Sequence, residues 1–325
     1  MLTIVMYHYV RDLERSRFPR IKGLSLEAFR GQLDYLQRRH TVVTMEEVMF
    51  AVEGSPADLP DDAALLTFDD GFIDHYTNVL PLLDERGWQG SFFVPTRPLL
   101  EKKVLDTHKL HFILAAQPNT HAVFDEMLDL IDEYRERYDL LSADEYWERL
   151  AQPSRFDPPE IVFIKRMLQT ELPEPVRAAI CDRLFSRYVT RDEEAFAAEL
   201  YVSVDQLRIM QRLGMHIGVH GETHSRLDRL GPECRQREIR SSLELLGRIG
   251  ADTEAWSIAY PFGAHDEALR RQVRSAGAKI GLTTEVARAD LWRHDPLQLP
   301  RLDTNDVPKQ FSSARVPVMV GGAAA

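Results

Sequence analysis

Short apolar runs alternate with longer helical patterns along this chain, and this alternation is what most limits the folds open to it. The runs are LTIVMY (2–7), ALLTF (64–68), SFFVP (91–95), HIGV (216–219), WSIAY (256–260) and KIGLTT (279–284), with weaker candidates in TVVT (41–44) and LQLPRL (297–302). Each run is rich in aliphatic residues, which is typical of parallel strands buried on both faces. Alternating strands and helices predict an α/β fold made of βαβ units, either a parallel sheet or a barrel.

The stretch from 101 to 204 breaks this rhythm. It is long and charged, and its segments AVFDEMLDLIDEYRERY (122–138) and PVRAAICDRLFSRY (175–188) repeat apolar residues at spacings of three and four, as amphipathic helices do. We therefore expect residues 1–100 and 205–325 to form the α/β domain. Residues 101–204 are expected to form a large helical insertion that acts as a lid or interaction arm and offers a surface for a homodimer.

Charge, cysteine content and hydropathy exclude several functional classes. The net charge of the 325 residues is −11, and no basic cluster of the kind that binds nucleic acid is present. The two cysteines, Cys181 and Cys234, are too few for a disulfide framework. No apolar run approaches the 18 or so residues of a transmembrane helix. The first residues, MLTIVMYHYV, lack the features of a signal peptide, so we expect a cytoplasmic protein.

Reactive side chains follow several of the predicted strands. His8 follows the first run, Asp69 and Asp70 follow ALLTF, His220 follows HIGV, and YPFG (260–263) closes WSIAY. The carboxyl ends of parallel strands meet at one edge, where α/β barrels and open sheets bind their ligands. We therefore expect the functional site at this edge.

Two histidines and one carboxylate in this set suggest a metal site. His220 and His224 are four residues apart in HGETH, and on a helical turn they would share one face. Together with Asp70 they would form the two-histidine, one-carboxylate set of a catalytic zinc site, which leaves a position open for water. A bound dication would also offset the repulsion between Asp69 and Asp70. The alternative interpretation of the Asp-Asp-Gly sequence is a solvated turn.

The order of three motifs resembles that of a known family. TFDDG (67–71), HGETH (220–224) and YPFG (260–263), each following a strand, are similar to motifs of the polysaccharide deacetylases, the NodB-homology family or carbohydrate esterase family four. The resemblance covers residues 1–98 and about 205–303, and omits the helical insertion. It implies an irregular (β/α)7-type barrel, NodB-like, with a large helical insertion.

The resemblance also implies roles for individual residues. Asp69 would be the general base, and Asp70, His220 and His224 would bind a divalent metal, with zinc the first expectation. Cobalt, nickel and iron use the same nitrogen and oxygen donors. The YPFG turn would provide a backbone N–H near Phe262 for the oxyanion and a surface for substrate, formed by the residues Tyr260, Pro261 and Phe262.

Two residues of the family pattern are missing, and other residues must take their roles. The arginine that usually holds the base is replaced by Ala259, and Arg301 in LPRLD is our candidate for that role, the alternative being a surface charge. The usual C-terminal acid histidine is missing, but MYHYV (6–10) resembles the deacetylases of poly-N-acetylglucosamine biofilms, in which the acid lies at the N-terminus. This implies His8, with Asp303 as its orienting carboxylate. His294 is the alternative acid.

Together these residues predict a metal-dependent amide hydrolase. It would remove an N-acyl group, first of all N-acetyl, from an amino sugar or a nucleotide- or lipid-linked glycan precursor. Asp69 would take a proton from water activated at the metal, and His8 would protonate the departing amine. The alternative is a catalytically degenerate barrel that binds a glycan or a protein partner.

Overall fold

The computed structural model describes residues 1–154 and 157–310, which divide into two compact units. One unit contains Met1–Asp12, Gly23–Glu101 and the described residues from Ala198 to position 310, and the other contains Leu13–Lys22 and the described residues of Lys102–Ala197. The second unit thus includes the short segment 13–22, which the sequence analysis assigned to the α/β domain. No helix in the described ranges is both long enough and apolar enough to cross a lipid bilayer.

Each strong strand prediction is confirmed to within a residue or two. The strands are β1 (Thr3–Tyr7), β2 (Val10–Arg11), β3 (Leu24–Ser25), β4 (Thr41–Val42), β5 (Ala63–Asp69), β6 (Ser91–Val94), β7 (His216–Val219), β8 (Trp256–Ala259), β9 (Ala278–Leu282) and β10 (Leu302–Asp303). Seven of them lie side by side in the order β10-β1-β5-β6-β7-β8-β9, and β4 pairs with the amino end of β5. All these pairings are parallel, as the predicted α/β barrel requires.

The sheet curls because one short segment pairs near both of its edges. Leu299 forms a single parallel bridge with Leu282 of β9, while Leu302 in β10 pairs with Val5 of β1. Alternate residues of β5 enter two separate apolar clusters, Leu66 in one and Leu65 in the other. A strand buried on both faces needs apolar residues without interruption, which is why ALLTF has no polar alternation.

Thirteen α-helices surround the strands or form the second unit. They are α1 (Leu26–Arg39), α2 (Met45–Glu53), α3 (Leu80–Asp84), α4 (Thr96–Glu101), α5 (Asp106–Ala116), α6 (Thr120–Tyr138), α7 (Ala143–Leu150), α8 (Pro159–Arg166), α9 (Glu174–Tyr188), α10 (Glu193–Leu200), α11 (Val204–Arg212), α12 (Pro232–Ile249) and α13 (Glu267–Ser275) in the described residues. The capping-box spacings of the sequence mark real helix starts at Thr44, Ser142 and Ser203, where each side chain accepts a hydrogen bond from the third residue of its helix.

The helix that follows the Asp-Asp-Gly turn begins irregularly. His75–Val79 form one turn of π-helix, in which the N–H of Leu80 donates to the carbonyl of His75. Pro81 follows at once and has no N–H, so the regular α pattern of α3 starts only at Leu80. Single π turns of this kind are frequent near functional sites.

The second unit is helical and has its own apolar core, as the periodicity predicted. Helices α5 and α9 pack closely together. An aromatic cluster joins Phe112 to Phe18, Phe185 and Phe196, with several rings edge to face. The buried Lys109 forms ion pairs with Asp182 and Glu193. A lid or interaction role for this unit stays a prediction.

Candidate metal centre

The turn after β5 separates the two adjacent carboxylates. Asp69 is the last residue of the strand, whereas Asp70 has φ 78° and Gly71 has φ 65°. Positive φ is uncommon for a residue other than glycine, and the chain needs glycine at 71 because a Cβ there would lie 2.8 Å from a methyl carbon of Val94. The turn therefore directs Asp69 and Asp70 toward different partners.

Asp70 converges with both histidines of HGETH. Its Oδ1 lies 3.3 Å from His220 Nε2 and 3.4 Å from His224 Nε2, and all three residues are buried. One donor atom from each of the three lies within 4.8 Å of the others. The structure thus brings together the three residues that the resemblance implied as metal ligands.

The HGETH segment achieves this without a helix, so the expectation of a shared helical face is wrong. Residues 220–224 form an irregular loop in which Gly221 has φ 75° and His224 has φ 56°. These two left-handed residues fold the loop back on itself and place the two imidazole rings 4.8 Å apart. The spacing of four correctly predicted that the two histidines lie together, but a folded loop brings them together and not a shared helical face.

The donor chemistry fits a divalent cation. His220 Nδ1 lies 2.6 Å from the carbonyl oxygen of Ala259, and because a carbonyl only accepts, Nδ1 carries the hydrogen. This fixes the ring so that Nε2 faces the carboxylate of Asp70, an arrangement typical of metal-binding histidines. Two imidazoles and one carboxylate suit zinc, cobalt, nickel or iron.

Asp69 is held by Arg301. The guanidinium makes two hydrogen bonds to the carboxylate, Nη1 to Oδ1 at 2.9 Å and Nη2 to Oδ2 at 2.7 Å, and the arginine is 0% exposed. Further bonds to Thr67 and Thr283 fix the guanidinium itself. The alternative of a surface charge at Arg301 is therefore wrong. Burial opposes ionisation of Asp69, but Arg301, together with the nearby His220 and His8, outweighs it and lowers the pKa of the carboxyl below its usual value.

His8 lies beside Asp69 because of strand register. Tyr7 pairs with Phe68 across β1 and β5, so the next residue of each strand emerges at the same edge. The His8 side chain is 41% exposed, and its Nε2 lies 4.0 Å from Asp69 Oδ2. The base and acid candidates are thus neighbours, and His8 faces solvent.

The π-helical turn supports the His8 segment, a contact that the sequence analysis missed. The Nε2 of His75 donates to the carbonyl of His8 at 2.9 Å, and Asn78 Nδ2 donates to the carbonyl of Val10 at 2.8 Å. Burial lowers the pKa of His75 to about 4, so this ring is neutral near pH 7. In the sequence, the only signal for His75 is its position one helical turn beyond Asp70.

Asp303 and His294 make other contacts. The Oδ1 of Asp303 accepts from the N–H and the side-chain amide of Asn305, capping the short turn that follows it. Within the described residues it makes no hydrogen bond or ion pair with His8, so its predicted orienting contact is wrong. His294 Nδ1 accepts from the N–H of Asp290 and closes a local turn.

Of the YPFG residues, Phe262 borders the site. Tyr260 is 1% exposed and its hydroxyl donates to the carbonyl of Leu297, while Pro261 is buried, so both serve packing. Phe262 has φ 59°, and its ring lies 4.8 Å from the ring of His224.

Solved deacetylase structures share this fold. Over 95% of both chains, the Streptococcus pyogenes deacetylase PplD, determined in complex with acetate, matches with a TM-score of 0.57 and 17% sequence identity. IcaB from Ammonifex degensii matches with a TM-score of 0.50 and 17% identity over 93% of this chain and 90% of its own. The BpsB deacetylase domain from Bordetella bronchiseptica gives 0.51 and 16% over 93% and 95%. At these identities the likeness establishes the NodB-like fold.

The family assignment comes from sequence. A search of curated proteins gives no match. The family model for polysaccharide deacetylase matches residues 57–133 and 185–281, which together make up more than half of the chain and include Asp69, Asp70, His220 and His224. This chain therefore belongs to the polysaccharide deacetylase family.

Proposed function

We propose that this protein is a metal-dependent carbohydrate N-deacetylase that removes an N-acyl group, first of all N-acetyl, from an amino sugar. One observation carries the proposal. Beside the Asp70, His220 and His224 cluster lies a second buried carboxylate, Asp69, which that cluster does not need and which Arg301 holds in place. A site that only binds a metal has no use for such a carboxylate, whereas amide hydrolysis needs a base there.

The residues divide the reaction between them. A divalent cation held by Asp70, His220 and His224 would lower the pKa of water to about 7 and polarise the acyl oxygen. Asp69 takes the proton of the attacking water. Arg301 keeps this carboxylate ionised and fixes the direction of its two oxygens, so the base is oriented before substrate arrives.

His8 acts on the leaving group. An amine leaves poorly unless it is protonated, and the His8 ring is exposed and 4.0 Å from the base. Its backbone is fixed by the buried His75, so the ring stays at the edge of the sheet. The N–H of Phe262, whose ring packs against the ring of His224, would donate to the developing oxyanion.

Several finer features stay predictions. The donor set is compatible with zinc and equally with cobalt, nickel or iron. A nucleotide- or lipid-linked glycan precursor as substrate, a cytoplasmic location and a homodimer are proposals that follow from the sequence analysis alone.

Acyl release tests the proposal directly. The purified protein is loaded with zinc, and acetate release is measured from a panel of N-acetylated amino sugars and oligosaccharides. We expect release by the wild type, loss on chelation and recovery on adding metal. D69N should bind the same amount of zinc and lose at least about a hundredfold in rate.

Two outcomes of this assay would contradict the proposal. Zinc binding without acyl release from any amide would favour a glycan-binding barrel. Normal turnover by D69N would remove Asp69 from the role of base.

A further inference from the structure

The three residues between the two histidines of HGETH are held on both sides of the loop. Gly221 and Glu222 offer their carbonyls to the first residues of α4, with Thr96 N donating to Gly221 O at 3.1 Å and Arg97 N donating to Glu222 O at 3.0 Å. The N–H groups of the loop need a separate acceptor, because the loop has neither helical nor strand hydrogen bonds of its own.

That acceptor is Glu238, in the second turn of α12. Its Oε2 accepts from the N–H of Glu222 at 2.6 Å and from the N–H of Thr223 at 3.0 Å. Its Oε1 accepts from the hydroxyl of Thr223 at 2.6 Å. One side chain therefore satisfies two backbone donors and one hydroxyl between His220 and His224.

The fit between this carboxylate and the loop is tight. Gly221 has φ 75°, and a Cβ at this position would lie 2.9 Å from Glu238 Oε2. Glycine is thus required by the backbone conformation and by the approach of the carboxylate. Glu238 is only 5% exposed, and burying a carboxylate is unfavourable unless hydrogen bonds compensate for the lost water. The hydrogen bonds of this carboxylate in the described structure go to the loop.

We propose that Glu238 is a positioning residue for the metal site. Its hydrogen bonds go to the backbone and the Thr223 hydroxyl of the loop rather than to the ligand atoms, and it acts by fixing the left-handed loop that brings His224 back toward His220 and Asp70. Its contribution is preorganisation, since a loop already folded for binding does not have to lose conformational freedom when the cation arrives. This inference rests on the proposed function only in requiring that the site binds a divalent cation.

Zinc affinity of the whole protein tests this inference. It is measured for the wild type, E238A, E238Q and T223V by competition with a chromogenic chelator. The unfolding free energy of each metal-free protein is measured in urea. E244Q is the matched control, because Glu244 lies on the same helix with an exposed side chain paired to Arg240. Outer-shell partners of metal ligands are worth about 10–100-fold in affinity, and we expect a loss in this range for E238A.

We expect the zinc affinities of the conservative variants to lie between that of E238A and that of the wild type. In E238Q the amide oxygen can still accept from the two N–H groups, so we expect much of the affinity to return. T223V removes one of the three hydrogen bonds and should cost less than E238A. E244Q should bind zinc like the wild type. If E238A does not fold, E238Q and T223V still carry the test.

The outcomes separate this inference from the proposed function. If wild type binds zinc and E238A binds it as tightly, Glu238 is not a positioning residue, whatever the enzyme does. A loss of metal-free stability with unchanged zinc affinity would show a purely structural role and would also overturn the inference. If the wild type binds no zinc, the proposed function fails and this inference fails with it.

Discussion

One histidine begins strand β7 and another directly follows it, and the two have different partners at the two edges of the sheet. His216 opens the strand, and its Nδ1 lies 3.1 Å from Glu46 Oε1 while its Nε2 lies 2.7 Å from Ser257 Oγ. His220 follows the strand, donates from Nδ1 to a backbone carbonyl and turns Nε2 toward Asp70 and His224. Both histidines lie beside carboxylates, one at the start of β7 and one directly after its end.

The difference lies in what remains available to a ligand. At the amino end both ring nitrogens of His216 are occupied by one partner each, and Ser257 is 0% exposed, so no substrate reaches its hydroxyl. This hydrogen-bond chain has the connectivity of an acid-histidine-serine triad without its accessibility. At the carboxyl end, three donors converge on one space. A metal site is thus distinguished from a structural hydrogen-bond network by ligand atoms that converge on one space, and not by the types of residue present.

The largest effect should come from removing one histidine at each end. H220A takes away one of three ligand groups, and we expect zinc affinity and acetate release to fall by more than about a hundredfold, the upper range for outer-shell partners. H216A should keep stoichiometric zinc, because His216 contacts none of the three ligand residues. Elemental analysis with an acetate assay checks both. Zinc retained by H220A and lost from H216A would reverse the comparison.

A smaller effect is expected from the acid. H8A should lower the rate of acetate release by about a hundredfold and leave zinc content intact, since His8 is not among the converging ligands. H294A is the control, because that ring closes a turn with Asp290. Rates are compared at saturating substrate. A larger loss in H294A than in H8A would transfer the role of acid to His294.

The smallest effect concerns Glu46. Burial opposes its ionisation, but hydrogen bonds from His216 and Gln89 outweigh this and lower the pKa of Glu46 to about 2. Because the folded pKa lies below the unfolded one, the stabilisation is present above about pH 4.5 and is lost as the pH falls toward 2. The Glu46 side chain is more than half exposed, so E46Q should cost less than about 1 kcal/mol at pH 7.

Urea unfolding of wild type and E46Q from pH 7 to pH 3 measures this difference. The difference in unfolding free energy between wild type and E46Q should become smaller below pH 4.5. Acetate release by E46Q at pH 7 should equal that of the wild type. A constant gap across this range would mean that the ionisation of Glu46 does not contribute to stability.

Much of the molecule follows from local sequence. Uninterrupted aliphatic runs predicted the strands, since burial on both faces demands them, and the capping boxes at Thr44, Ser142 and Ser203 marked helix starts. The placement of His8, Asp69 and His220 after strands predicted a common edge, because parallel strands all end on the same side. These are properties of segments a few residues long.

Local sequence could not settle the contacts that complete the site. It named Arg301 as a candidate partner of Asp69 but left a surface charge as the alternative, because the two residues lie 232 positions apart. It did not find Glu238, which reaches the HGETH loop from a helix whose sequence shows no motif. The expectation that Asp303 orients His8 also failed, because the Asp303 carboxylate accepts hydrogen bonds from its own turn instead.

The sequence by itself determined the fold class, the edge that carries the site and the residue types that meet there. Tertiary structure alone decided that Arg301 holds the base rather than lying at the surface, that two left-handed residues bring His220 and His224 together, and that Asp303 caps a turn. The physical reason is range. Strand burial and helix capping are set by near neighbours in the chain, whereas a hydrogen bond between distant side chains exists only once the whole sheet has curled.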